Sequence, residues 1–292
     1  MRRRPSKWVT ATSASIIVMM ALSGCEAPVY GTSPAATDAP QLTVVVPQGG
    51  MAPSSEAPPD RPAAAFGVLQ ERIAQATDEA SDAGADITVQ VLDRTTRRRL
   101  SNGNGSAIVI ASVVKLFIAD DLLLQESKGQ TVITPDDRKM LDVMLRSSDD
   151  SAAEVFWNRS GGGEIVTRVA ARYGLTSTQP PNNGRWWNTI STAADLVRYY
   201  NMLMNGSGGL PPEQANIILS NLAKPTPNAI DGTQPGGTYP QRFGIPDGLY
   251  AEPVAIKQGW MCCIGPDWMH LSTGVIGPTR RFIMVIGALQ PA

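Results

Sequence analysis

Ser112 and Lys115 stand three residues apart in Ala111-Ser112-Val113-Val114-Lys115, at the head of a long apolar segment. On a helix this spacing places both side chains on one face, so the amine can reach the hydroxyl. A serine hydroxyl is a weak nucleophile until a neighbouring base takes its proton. Burial in an apolar helix lowers a lysine's pKa and favours the neutral amine that such a base requires. The helix N-terminus also favours negative charge developing on the serine. Ser-x-x-Lys is a short pattern that arises by chance, but here it occurs once, and a lysine in a mainly apolar helix is costly.

Two more groups extend the pattern. Ser147-Ser148-Asp149-Asp150-Ser151-Ala152-Ala153-Glu154 opens a helical stretch, where Ser and Asp also serve as N-caps. Lys257-Gln258-Gly259-Trp260 follows Ala255-Ile256 and could equally be a lysine entering a turn. Their order is Ser-x-x-Lys, then Ser-Asp-x, then Lys-x-Gly. With this order the chain resembles class A β-lactamases and penicillin-binding proteins. Asp93-Arg94-Thr95-Thr96-Arg97 is similar to that family's turn between its first two strands, and Arg242 to Gly248 to the loop before its Lys-Thr-Gly strand. The resemblance runs from about Pro62 to the C-terminus.

The resemblance implies an acyl-enzyme on Ser112, with Lys115 as base and Ser148 relaying a proton to the leaving nitrogen. Lys257 would supply positive charge for a substrate carboxylate. The backbone N–H groups of Ser112 and Trp260, with Gly259 between the lysine and Trp260, would form the oxyanion hole, and Asp150 would face the substrate. The implied ligands are β-lactams or peptidoglycan-type peptides and esters, with no cofactor and no metal.

Three departures bear on activity. The family's deacylating glutamate has no counterpart, because no Asp or Glu occurs between Tyr173 and Ala194 and the loop Gln179–Asn188 is short. Acylation with slow deacylation is therefore expected. Asp150 replaces an asparagine, and a carboxylate only accepts hydrogen bonds and can hold Lys115 protonated. Gln258 replaces a threonine whose hydroxyl serves the substrate carboxylate. A catalytically silent binding protein of the same fold is the alternative.

The elements that must position these residues follow from periodicity. A helix is expected over Ala65–Asp82, a strand over Asp86–Leu92, and a second strand after the turn Asp93–Thr96. Helices are expected at Ala111–Gln125, Thr134–Arg146, Asp149–Asn158, Glu164–Tyr173, Thr192–Met204 and Pro211–Asn221. Thr134-Pro135 and Ser191-Thr192 are start signals. Strands return at Ala255–Lys257 and Arg281–Leu289. The class is α+β, β-lactamase/transpeptidase-like: an antiparallel sheet flanked by helices, with a helical subdomain inserted. The family's C-terminal helix is not expected, since the chain ends at Ala292 just after the last strand.

The N-terminus reads as an address. Arg2, Arg3, Arg4 and Lys7 precede the apolar run Ile16–Ala21, too short to span a bilayer. Leu22-Ser23-Gly24-Cys25 then looks like a lipobox. The expected division is a signal peptide at 1–24, a lipidated Cys25 with a Pro/Ala/Ser-rich tether at 25–61, and the folded domain at 62–292. Within the tether, Leu42–Val46 could pair as a strand or form an apolar patch. The protein is expected on the outer face of a bacterial cell membrane, held there by its lipid.

Bulk composition excludes other classes. A net charge of −1 offers no basic surface for nucleic acid. With one histidine, His270, and no Gly-x-Ser-x-Gly, a hydrolase triad of that type is a poor rival, and His270 reads as structural. No metal-binding spacing is present. Cys262 and Cys263 could form a vicinal disulfide, but strand neighbours are poorly placed for one, so two partly buried thiols are expected. Trp186, Trp187, Trp260 and Trp268 read as packing residues that would also suit a ligand groove.

Overall fold

The computed structural model describes residues 62–231 and 236–291. The expected signal peptide, lipidated Cys25 and tether, with the Leu42–Val46 run, lie outside the described residues. Helix α1 (Pro62–Asp82) leads into β1 (Asp86–Asp93) and β2 (Arg98–Ser101). After the short β3 (Ile108–Val109), a 3-10 turn at Ala111–Val114 runs into α2 (Lys115–Ser127). Helices α3 (Pro135–Arg146), α4 (Asp150–Arg159) and α5 (Glu164–Tyr173) follow. Next come β4 (Ile190–Ser191), α6 (Ala193–Asn205) and α7 (Pro212–Leu222). A small hairpin, β5 (Asn228–Asp231) and β6 (Gly237–Pro240), precedes the helical turn α8 (Ile245–Gly248). The chain then completes the sheet with β7 (Val254–Ile264), β8 (Asp267–Ile276) and β9 (Phe282–Pro291).

The main sheet is antiparallel, in the order β2-β1-β9-β8-β7. Alternation along β1 sends Val89 and Val91 to one face, where they pack with Leu69 and Ile73 of α1. Leu92, Leu271, Ile283 and Val285 belong instead to the larger core built with α2 and α6. The architecture is thus α+β, as expected. Three late strands are present where the periodicity indicated two. The added strand β8 is buried over most of its length, so its sequence lacks the polar alternation that marks a half-exposed strand.

The face carrying α1 is also covered by α8, through Ile245, Ile256 and Ile276. Among the described residues, an apolar cavity of about 550 Å³ remains there, bounded by Leu249, Phe282 and Met284.

The helices begin where their caps are. Thr134 Oγ1 accepts from the Asp137 amide while the Asp137 carboxylate accepts from Thr134 N–H, a reciprocal capping box. Thr192 caps α6, and Asp149 caps α4 by accepting from Ala152 N–H at 2.7 Å. Of the Ser148-Asp149-Asp150 trio, the middle residue is therefore committed to the backbone.

Asp93, fully buried at the end of β1, ties the sheet to its first turn. It accepts from Thr95 N–H at 2.9 Å and from Arg281 Nε and Nη2 at 3.0 and 2.6 Å. The Arg281 contact holds its pKa at about 2. A carboxylate whose pKa is lowered by folding stabilises the native state above its unfolded pKa of about 3.9. That contribution fades as pH falls toward 2. Asp93→Asn is expected to melt below wild type at pH 7, with the gap narrowing between pH 5 and pH 2. Thermal unfolding followed by circular dichroism across that range checks it; a gap constant with pH would assign the loss to packing.

Candidate active site

The apolar segment expected as one helix starts with a tighter turn. Ala111, just before the nucleophile candidate, has φ +41°, and Ser148 has φ +56°, left-handed values that non-glycine residues rarely hold. Both strained residues adjoin the same site, where surrounding structure must impose them. Strand β7 presses against the Ala111 turn. A Cβ on Gly259 would sit 2.7 Å from the Ile110 carbonyl oxygen, so only glycine permits this approach.

Lys115 is fully buried, and its amine is the hub. Nζ lies 2.9 Å from Ser112 Oγ, 2.6 Å from the Ser148 carbonyl oxygen and 3.2 Å from Ser148 Oγ. It is also 2.5 Å from Asp150 Oδ1, and it sits 4.7 Å above the Trp186 ring. Burial pushes the Lys115 pKa below the usual lysine range, and Asp150 pulls it back up. Asp150 keeps 44% of its side chain exposed, so the pair joins a dry amine to a wet carboxylate.

Lys257 is equally buried. Its Nζ donates to Ser148 Oγ at 2.8 Å and to the Gln258 carbonyl at 3.1 Å. Burial, reinforced by the nearby Lys115, drives its pKa well below the ordinary value. Ser148 Oγ is thus a bridge between two lysine amines. Gln258 turns away from this cluster: its Nε2 donates to the carbonyls of Gln241 at 3.1 Å and Phe243 at 2.7 Å.

Ser112, Asp150 and Trp260 line a common cleft of about 430 Å³, with Trp186, Trp187 and Ile230 as further walls. The structure therefore gathers the three motifs read from the sequence. It adds Asn188, Ile230 and Met261, which no motif marked because they enter from loop, hairpin and strand positions with no periodic signal. Trp186 is held by Glu154, which accepts from its indole N–H at 3.0 Å. Trp260 and Trp268 stack on Tyr239, whose hydroxyl bonds His270 Nε2. His270 belongs to that aromatic cluster, and burial lowers its pKa.

One expectation is corrected. Cys262, at the cleft wall, is disulfide-bonded rather than a free thiol. The register of β7 against β8 shifts between Met261 and Ile264, so the regular strand alternation behind the thiol reading does not hold there. Among the described residues, no cluster of His, Cys, Asp and Glu could hold a metal ion. None of the described helices is long and apolar enough to cross a membrane.

Solved β-lactamases share this architecture. A β-lactamase from Chitinophaga pinensis aligns with a TM-score of 0.59 at 13% identity, over 76% of this chain and 90% of that one. PBP-A, solved as an acyl-enzyme complex with penicillin G, aligns with a TM-score of 0.60 at 17% identity, over 77% of this chain and 89% of that one. The domain has the fold of the class A β-lactamases and penicillin-binding proteins. No protein-family model matches the sequence. The protein named "Putative lipoprotein LppW" in Mycobacterium tuberculosis and Mycobacterium bovis is 56% identical over 300 residues, covering all of this chain and 93% of that one. The chain belongs to the LppW lipoprotein family.

Proposed function

We propose that the domain is a serine acyl-transfer site that forms a covalent acyl-enzyme on Ser112 and releases it slowly. The observation that carries this reading is the continuous contact Ser112 Oγ, Lys115 Nζ, Ser148 Oγ, Lys257 Nζ, with steps of 2.9, 3.2 and 2.8 Å. Ser112 Oγ attacks the carbonyl of a β-lactam, peptide or ester, and its proton passes to Lys115. Lys115 already holds a proton for Asp150, so taking another requires passing one on through Ser148 to Lys257, the more strongly depressed amine. Ser148 then returns a proton to the leaving group. The N–H groups of Ser112 and Trp260 stabilise the oxyanion, Trp260 lying on the edge strand β7.

The acids near the cleft support slow release. Asp150 is paired with Lys115, and Glu154 accepts from Trp186 and Asn158, which leaves neither as a ready base for water. Lack of a positioned general base costs about 10²–10⁴-fold. A second reading, a silent binding protein, is favoured by the Lys115–Asp150 pair, which holds the base protonated.

Labelling with a neutral fluorophosphonate probe separates the two. Wild type is expected to gain one adduct, mapped to Ser112 by peptide mass, and Ser112→Ala none. Equal labelling of both, or of neither, leaves the binding reading.

The domain is further proposed to be presented on a lipid anchor: signal peptide 1–24, lipidated Cys25 and tether 25–61, with the fold from 62 to 292 outside the membrane. The name of its relatives and the Leu22-Ser23-Gly24-Cys25 sequence support this. An alkyne-palmitate label is expected on the wild-type protein in cells and to be absent from Cys25→Ala, which should leave the membrane fraction. Retention of both label and membrane fractionation by the variant would refute the anchor.

A further inference from the structure

The cleft's charge is at odds with a carboxylate-bearing ligand. Among the described residues, its walls beside Ser112 are Trp186, Trp187, Trp260, Ile230 and Met261 with the uncharged Ala111, Asn188 and Cys262, and its one charged wall residue is Asp150. No cation among these residues lines the space. Lys115 is fully buried, its amine committed to Ser112 Oγ, the Ser148 carbonyl and Asp150 at 2.9, 2.6 and 2.5 Å, so the exposed member of that pair is the carboxylate. Lys257, 1% exposed, spends its amine on Ser148 Oγ and the Gln258 carbonyl. Gln258 carries its amide to the Gln241 and Phe243 carbonyls and so offers the cleft no donor. Arg185 is exposed, but its guanidinium lies 5.5 Å over the Trp187 ring and is not part of the cleft wall.

A carboxylate entering here would leave water without meeting a partner charge, and would approach Asp150, which is 44% exposed. Like charges set together are rejected, and an unpaired buried anion is costly. An uncharged acyl group meets aromatic and aliphatic walls, which favour it through burial of apolar surface.

We infer that the acyl donor of this site is a carboxylate-free ester with an apolar acyl group, selected by Asp150 and the aromatic walls. This rests on Ser112 being the acyl nucleophile. In the reaction the Ser112 Oγ–acyl bond forms as the ester's C–O bond breaks. The serine proton ends on the departing alcohol. Water later cleaves the acyl-serine, giving the free acid and restoring the hydroxyl. Ester and water become acid and alcohol, with no other reactant.

Two matched pairs test it on the full chain. The first is benzylpenicillin against its methyl ester, which share the ring and differ in the carboxylate. The second is p-nitrophenyl hexanoate against the p-nitrophenyl monoester of adipic acid, read by the p-nitrophenolate burst and the acyl mass on Ser112. The neutral member of each pair is expected to acylate Ser112 at least about tenfold faster. In Asp150→Asn the ratio is expected to fall toward one. An acid that reacts as fast as its neutral partner overturns the inference, as does a ratio that persists in Asp150→Asn. Failure of all four compounds on a protein that the fluorophosphonate still labels at Ser112 overturns the inference alone. Absence of fluorophosphonate labelling overturns the acyl-serine reading beneath it.

Discussion

Lys115→Met is expected to slow acylation of Ser112 by about 10²–10⁴-fold, the usual worth of a positioned general base. Lys115 Nζ, at 2.9 Å, is the side-chain partner of Ser112 Oγ. Methionine is of similar length and suits the apolar surroundings, so the fold should survive, and Asp150, 44% exposed, can be solvated once its partner is gone. Arginine keeps the positive charge and the pairing with Asp150 but does not deprotonate. Lys115→Arg is therefore expected to be as slow as the methionine variant. The pH profile distinguishes a base from a structural prop. Wild-type acylation should rise with pH as the relay from Lys115 to Lys257 gains a neutral amine below the ordinary lysine range, since burial lowers both pKa values and Lys257's more strongly. That limb should vanish in both variants. Rates come from time-resolved fluorophosphonate labelling, with thermal unfolding as the control for folding. A Lys115→Met protein that labels at the wild-type rate would remove the amine from the mechanism.

The largest effect on stability is expected further along the same helix. Asp120 is fully buried, and its carboxylate accepts from Arg172 and from the hydroxyls of Tyr173 and Tyr199. These contacts bind α2 to α5 and α6. Asp120→Ala removes the carboxylate acceptor of a partly buried guanidinium and two buried phenols, leaving Arg172 the Gly208 carbonyl and Tyr199 the Leu116 carbonyl, and removing one partner of a buried pair costs about 3–5 kcal/mol. At about 2–4 °C per kcal/mol for a domain of this size, the melting temperature should fall by roughly 10 °C. Asp120→Asn keeps an acceptor for part of the set and is expected to fall between. Asp120 touches neither Ser112 nor the cleft, so whatever Asp120→Ala protein remains folded at low temperature should label normally. A variant within about 1 kcal/mol of wild type in urea unfolding would show that the network contributes little net stability.

Asp120 also illustrates what local pattern can and cannot carry. The segment Ala111–Gln125 was legible as a buried helix from its apolar content, and Asp120-Asp121 stood out as interruptions. What they pair with was not legible: Asp120 meets residues 52 and 53 positions away, and Asp121 meets Arg168. The same holds for β8, which joins β7 and β9 but carries no clear alternation of its own.

Helix starts at Thr134 and Thr192, the pairing of Ser112 with Lys115, and the order of the three motifs were determined by the sequence itself. The reason is range. Caps and an i, i+3 contact are set by a single turn of backbone, so residue type and spacing suffice. Tertiary structure alone decided how the site is charged. Lys115 meets Asp150 across 35 residues, Lys257 meets Ser148 across 109, and Gln258 turns its amide to Gln241 and Phe243. These contacts depend on how β7, α4 and the 3-10 turn converge, and the charge left facing the cleft is a property of that convergence.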